Sequence, residues 1–199
     1  MRNIIAITQV SADGVMQGPG GPEEDPSGGF TQGGWAMHFA DEASGQVIRK
    51  IMASEFDLLL GRRTYDIWAG YWPKQDDFIG KPFNKVTKYV VTHRAEGLSW
   101  KTSVQIGGDV VEGLRRLKAS DGPDLHIWGS SDVLQTLIAA DLVDEYRLWI
   151  FPVVLGKGKR LFEDGVPPRE LKLVETASTP RGVVFNTYRP TGALKTGRG

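Results

Sequence analysis

Apolar positions along the chain follow two periods. Between residues 41 and 54, Ala43, Val47, Ile48, Ile51 and Met52 repeat on one face at helical spacing. Asp109 precedes Val110, Val111, Leu114 and Leu117, and the cluster Ser130-Ser131-Asp132 precedes Val133, Leu134, Leu137 and Ile138, so each predicts a capped amphipathic helix. Short β-rich runs lie between these helices, at 4–7, 56–60, 86–92, 103–106 and 125–128. Residues 62–68 read as a short helix that follows Gly61 directly. Three further strands are predicted at 146–155, 171–177 and 183–188.

Strands alternate with helices through the first two thirds of the chain and dominate the last third. That order predicts an α/β fold in three layers, α/β/α. Its sheet is mixed and mostly parallel, with about 8–9 strands and antiparallel strands at the C-terminal end. The expectation is a single domain over 1–189 and a frayed tail over 190–199.

Composition narrows the chemistry. The 199 residues include no cysteine, which removes disulfides, thiolate nucleophiles and Cys-ligated metals. Lys+Arg and Asp+Glu both number 24, so no basic excess points to nucleic acid. The longest apolar run, at 148–155, is too short to cross a membrane. No targeting peptide is evident at the start, and the expected location is the cytoplasm. The zero net charge is nevertheless a sum. Residues 3–48 carry no Lys or Arg and have a charge of −6, while the remainder carries +6. Eight of the 25 glycines fall between Gly14 and Gly34, in a long acidic loop that reads as a functional lid or rim.

Two strand-to-helix junctions, Gly61-Arg62-Arg63-Thr64 and Gly129-Ser130-Ser131, place glycine and hydroxyls at helix N-termini, where free N–H groups favour anions such as phosphate. Both lie at the carboxyl ends of strands, the usual ligand side of an open α/β sheet. Thr92-His93-Arg94 ends another strand. Arg62, Arg63 and Arg94 could gather around a terminal phosphate, or serve as ordinary surface arginines paired with acids. The turn Gly156-Lys157-Gly158-Lys159-Arg160 lacks the spacing of a phosphate loop. His38, His93 and His126 are scattered, which speaks against a metal centre. Asp13, in Ser11-Ala12-Asp13-Gly14, is a candidate substrate-side or proton-relaying carboxylate, and equally an Asp-Gly turn residue. Trp35 is the tryptophan expected to line a pocket.

Taken in order, these segments, with Trp128-Gly129-Ser130-Ser131, Asp144-Glu145-Tyr146-Arg147-Leu148 and the run from Pro152 to Phe162, resemble the dihydrofolate reductase superfamily. The resemblance is specifically to stand-alone proteins similar to the reductase domain of riboflavin biosynthesis, the C-terminal domain of the bifunctional deaminase-reductase. It implies a dihydrofolate-reductase-like fold and an NADPH-dependent reductase passing hydride to a small polar heterocycle, carbonyl or imine. The activity implied is similar to 5-amino-6-(5-phosphoribosylamino)uracil reductase. Alternatives are pteridine or dihydrofolate reduction, nucleotide sensing without turnover, and a structural homodimer.

On this resemblance Gly61, Arg62, Arg63 and Thr64, then Thr92, His93 and Arg94, then Gly129, Ser130 and Ser131 would hold the cofactor. Asp13 would be the catalytic, substrate-side acid. Trp35 would be a pocket wall, and Asp41 or Glu42 a candidate for the ring-binding helix acid. The expected assembly is a homodimer, with the apolar strand at 148–155 supporting the pairing. The chain departs from the family pattern at Trp128, where a glycine of a Gly-Gly pair is usual.

Overall fold

The computed structural model describes residues 1–197. The parallel strands are β1 (Ile4–Ser11), β2 (Phe56–Gly61), β3 (Lys88–Val91), β4 (Ser103–Ile106), β5 (Asp124–Trp128) and β6 (Glu145–Phe151). Of two long strands, β8 (Val184–Ala193) pairs antiparallel with β6, and β7 (Arg169–Ser178) pairs antiparallel with β8 at the sheet's edge. All eight form one sheet in the order β4-β3-β2-β5-β1-β6-β8-β7. The helices are α1 (Glu42–Met52), α2 (Arg62–Tyr71), α3 (Gly80–Lys85), α4 (Val110–Ala119) and α5 (Ser131–Ala139).

The expected three-layer α/β/α architecture is present. On one face, Leu114 of α4 and Val133, Leu134, Leu137 and Ile138 of α5 pack on Ile4, Ala6, Leu59, Leu125 and Ile127. On the other, Ile51 and Met52 of α1, Tyr65 of α2 and Phe83 of α3 pack on Ile5, Ile7, Leu58 and Leu60. β1 and β2 are buried on both faces, which is why they read as unbroken apolar runs rather than alternating ones. The sheet side of β6, β8 and β7 is less covered, and most of β7 is exposed.

Several boundaries differ from the sequence expectation. β6 stops at Phe151, because Pro152 cannot donate to a ladder, and Val154 beyond it stands 76% exposed. The segment from 190, expected to fray, instead continues β8 to Ala193, where it pairs with Arg169. Residues 198–199 lie outside those described. Helix α3, with a glycine and a proline among its six residues, was not anticipated.

A polar network closes the sheet at the strands' N-terminal edge. Arg2, 2% exposed, pairs with Asp57 of β2 and donates from Nε to the Pro123 carbonyl at 2.5 Å. The second Asp57 oxygen accepts from the Thr87 N–H at 2.9 Å. Nearby, Lys88 is fully buried, donating to the carbonyls of Asn84 and Lys101 and lying 4.5 Å from the Trp100 ring centroid. Removing one partner of such a pair strands a buried charge. Asp57→Ala is therefore expected to cost about 3–5 kcal/mol in a urea denaturation series, and Arg2→Met with Asp57→Leu to recover part of that loss.

Candidate functional site

At the opposite edge of the sheet, the C-terminal ends of β1, β2, β3 and β5 border a cavity of about 960 Å³. That volume is in the range of small-molecule and cofactor sites. Ile7, Thr8 and Gln9 of β1 and Trp128 of β5 form its floor. All ten residues expected to hold a cofactor line it: Gly61, Arg62, Arg63, Thr64, Thr92, His93, Arg94, Gly129, Ser130 and Ser131.

The helix N-termini divide into two kinds. α1 and α4 have carboxylate caps: Asp41 accepts from Ser44 N–H at 2.8 Å, and Asp109 from Glu112 N–H at 3.0 Å. α2 and α5, which open onto the cavity, have no side-chain cap. Their first-turn N–H groups are therefore left for a ligand or water. The expected Ser130 cap is not formed. Ser130 takes a left-handed conformation (φ 52°), and its hydroxyl instead accepts from Gly61 N–H at 3.0 Å. Ser130 N–H in turn donates to the Thr64 hydroxyl at 3.2 Å, so the two junctions are stitched into one surface. Gly61 packs closely on α5: a Cβ there would come within 3.1 Å of the Val133 side chain.

The basic side is partly committed. Arg62 binds Asp66 at 2.8 Å and donates to the carbonyls of Arg94 and Glu96, fixing the loop after β3. Arg63 pairs with Asp25 at 2.8 Å. Arg94 is exposed at the cavity rim and has no ion pair among the described residues.

The acidic loop between β1 and α1 is organised around Gln17, 4% exposed. Its amide donates to the carbonyls of Asp25 and Ser27, its side-chain oxygen accepts from Lys159 N–H, and its own carbonyl accepts from Trp35 Nε1 at 2.8 Å. The loop's first arm runs against the turn after β6, through Met16 N–H to Lys159 O and Leu161 N–H to Gly14 O. Gly158 makes that contact possible, since a Cβ there would meet Val15 at 2.5 Å. Met16, Gln17, Gly18, Asp25 and Lys159 all line the cavity, so the loop is an ordered wall.

The sequence description of the RibD C-terminal domain matches residues 2–185. This chain belongs to the RibD C-terminal domain family. It is 31% identical over 201 residues to the uncharacterized protein YyaP of Bacillus subtilis strain 168, covering 96% of both chains. A crystal structure of a putative riboflavin biosynthesis protein from Shewanella sp. PV-4 is similar in fold, with a TM-score of 0.66 and 20% identity, covering 95% of this chain and 99% of that one. Dihydrofolate reductase from Enterococcus faecalis, complexed with NADP(H) and RAB-propyl, gives a TM-score of 0.58 and 17% identity over 95% of this chain and 96% of that one.

In this RibD C-terminal domain protein the residues expected on the substrate side lie elsewhere. Asp13 does not line the cavity. Its carboxylate accepts from the Ser11 hydroxyl at 2.6 Å and from the N–H groups of Leu155 and Gly156 at 3.1 and 2.8 Å. Arg160 donates to its carbonyl. Asp13 thus clamps the turn after β6. Trp35 is also off the cavity wall, edge-on to Phe151 at 5.3 Å, and Asp41 is the α1 cap. The residues missed by sequence reasoning are Thr8, Gln9, Gln17, Asp25 and Lys159. Their only local signal is that Gln17 and Asp25 interrupt a glycine-rich loop with groups able to bind backbone. Of the histidines, His93 lines the cavity, while His126 is stacked on Phe56 at 4.5 Å, with burial pushing its pKa down to about 3.

The Ser11 hydroxyl and the Leu155 N–H hold the Asp13 carboxyl down at about 2, below its ordinary 3.8. The folded state thus binds this proton less readily than the unfolded chain, so the contribution is complete above pH 3.8 and lost as pH falls towards 2. Asp13→Asn is expected to remove this acid-dependent part of unfolding stability, measured by urea midpoints across that range.

Proposed function

We propose that this protein is an oxidoreductase that binds NADPH in the cleft and passes hydride to a small polar heterocycle, carbonyl or imine compound. The reading is that of a reductase like the one in riboflavin biosynthesis. One observation carries it: two uncapped helix N-termini and the Thr92-His93-Arg94 segment converge on a single cavity of about 960 Å³. Membership of the RibD C-terminal domain family supports it.

The donor set fits an anionic dinucleotide. The first turns of α2 and α5 supply N–H groups for a pyrophosphate, and Gly61 and Gly129 leave room for close approach. Arg63 and Arg94 supply guanidinium groups for a further phosphate. NADPH, when bound, supplies the hydride. The chain itself binds and orients: Ile7, Met16 and Trp128 offer an apolar wall that excludes water, and Thr8, Gln9 and Gln17 offer polar groups beside it.

A second reading, nucleotide sensing without turnover, is favoured by one feature. The part of β1 and the end of β5 that border the cleft contribute Ile7, Thr8, Gln9 and Trp128, with no ionisable side chain among them. Titrating intrinsic tryptophan fluorescence with NADPH, then following its oxidation against a panel of heterocycles, separates the two. Arg94→Ala is expected to weaken NADPH binding about tenfold to a hundredfold, the scale of a charge-assisted hydrogen bond, and to affect NADH far less. Absence of binding to either nucleotide overturns both readings.

The proposed assembly is a cytoplasmic homodimer. No helix among the described residues is long and apolar enough to cross a membrane. β6 cannot be the pairing strand, because it lies inside the sheet between β1 and β8. A better-placed surface is the row across β6, β8 and β7, where Tyr146, Tyr188 and Leu173 are cross-strand neighbours and Phe162 packs on Tyr146. Leu173 and Phe162 are 47% and 42% exposed. Sedimentation is expected to give a dimer, and Leu173→Glu a folded monomer.

A further inference from the structure

Asp25 occupies the cations that a ligand phosphate would need. Its Oδ1 lies 2.8 Å from a terminal nitrogen of Arg63, and its Oδ2 lies 3.0 Å from Lys159 Nζ. The Asp25 side chain is 15% exposed and Lys159 29%, whereas Arg63 is 52% exposed, so its pair is open to solvent on the arginine side. The carboxylate is also held in place from behind. Ser27 donates to it from both N–H and hydroxyl, at 3.1 and 2.6 Å, and Gln17 ties down the Asp25 and Ser27 carbonyls. Asp25, Arg63, Lys159 and Gln17 all line the cleft. The carboxylate therefore links the start of α2 to the turn after β6 across one end of the cavity.

The neighbouring guanidinium has a different status. Arg62 is fixed by Asp66 and two backbone carbonyls, all within its own corner of the fold. Arg63 has one ion-pair partner among the described residues, the loop carboxylate Asp25.

We propose that Asp25 is a tethered anion that a ligand phosphoryl group must displace from Arg63 and Lys159, and that this exchange makes Asp25 a specificity-determining residue of the cleft. The proposal rests on the nucleotide-binding reading above. A carboxylate offers one negative charge. A phosphoryl monoester offers about −1.5 to −2 and three acceptor oxygens. The dianionic group can thus replace Asp25 on both cations, whereas a neutral hydroxyl cannot. Displacement releases the 18–27 arm from α2, so binding and loop release are one event. The acidic loop then acts as a threshold against weakly charged ligands.

The test uses calorimetric titration of the full chain with NADPH, NADH and inorganic pyrophosphate, together with hydrogen exchange of the 18–27 arm. Asp25→Asn is expected to bind NADPH and pyrophosphate roughly fivefold tighter, the scale of removing two weak, partly exposed ion pairs. Its NADPH-over-NADH preference should shrink. Glu23→Gln controls for charge alone, since Glu23 lines the same cleft but makes no ion pair among the described residues; its gain should be less than half as large. In the wild type, saturating pyrophosphate should speed exchange over 18–27. In Asp25→Asn exchange there should be fast already and indifferent to ligand.

Equal gains from the two variants, or a wild-type arm that gains protection on binding, overturn the exchange while leaving nucleotide binding intact. Pyrophosphate binding that follows the expected pattern, with no nucleotide binding, overturns the nucleotide reading and keeps the exchange. No binding of any of the three ligands overturns both.

Discussion

The cleft exists because the chain leaves the neighbouring strands β1 and β5 in opposite directions. The connection through α1 carries the chain to β2, on the far side of β5, whereas β6, reached after α5, lies against β1 on the other side. Helices α1 to α3 consequently cover one face and α4 and α5 the other. Strands β1 and β5 lie side by side at this divergence. An opening at that point is a property of the topology. Everything proposed for the site depends on the parallel register that sets Ile7 beside Trp128 and, on the other edge of β1, beside Arg147.

What could be read in the sequence was local. Gly61 and Gly129 each end a strand and open a helix within a few residues, so their place at the cleft follows from neighbours in the chain. The same is true of Thr92-His93-Arg94. Asp13, Trp35 and Asp41 were equally prominent, yet their partners are distant or ordinary. Asp13 is bound by Leu155 and Gly156, more than 140 residues away in sequence, and nothing near Asp13 foretells them. Trp35 turns its N–H to Gln17, and Asp41 does what an Asp before a helix commonly does. The boundary of β6 was misread for a related reason: apolar content continues past Pro152, but backbone donors do not.

Charge partition was legible as a number and obscure as geometry. The acidic first quarter uses two of its carboxylates on the rest of the chain and others on its own backbone. Asp13 binds the turn after β6, Asp25 binds Arg63 and Lys159, and Glu24 turns inward to Gly20 N–H at 2.6 Å, where burial raises its pKa. The loop is ordered because its glycines permit close approach and its acids find donors. Its composition alone would suit a disordered segment.

The position of β1 also orders events during synthesis. Its flanking strands are β5 and β6, and Ile4 N–H is satisfied by Asp144, 140 residues later. At about 5–20 residues per second, the ribosome needs on the order of ten seconds to supply them. For that interval an eight-residue strand, apolar at nearly every inward position, has no ladder to join. β1 is thus the first strand of the sheet to be made and among the last to be placed, and its unpaired edges stay open until β5 and β6 emerge.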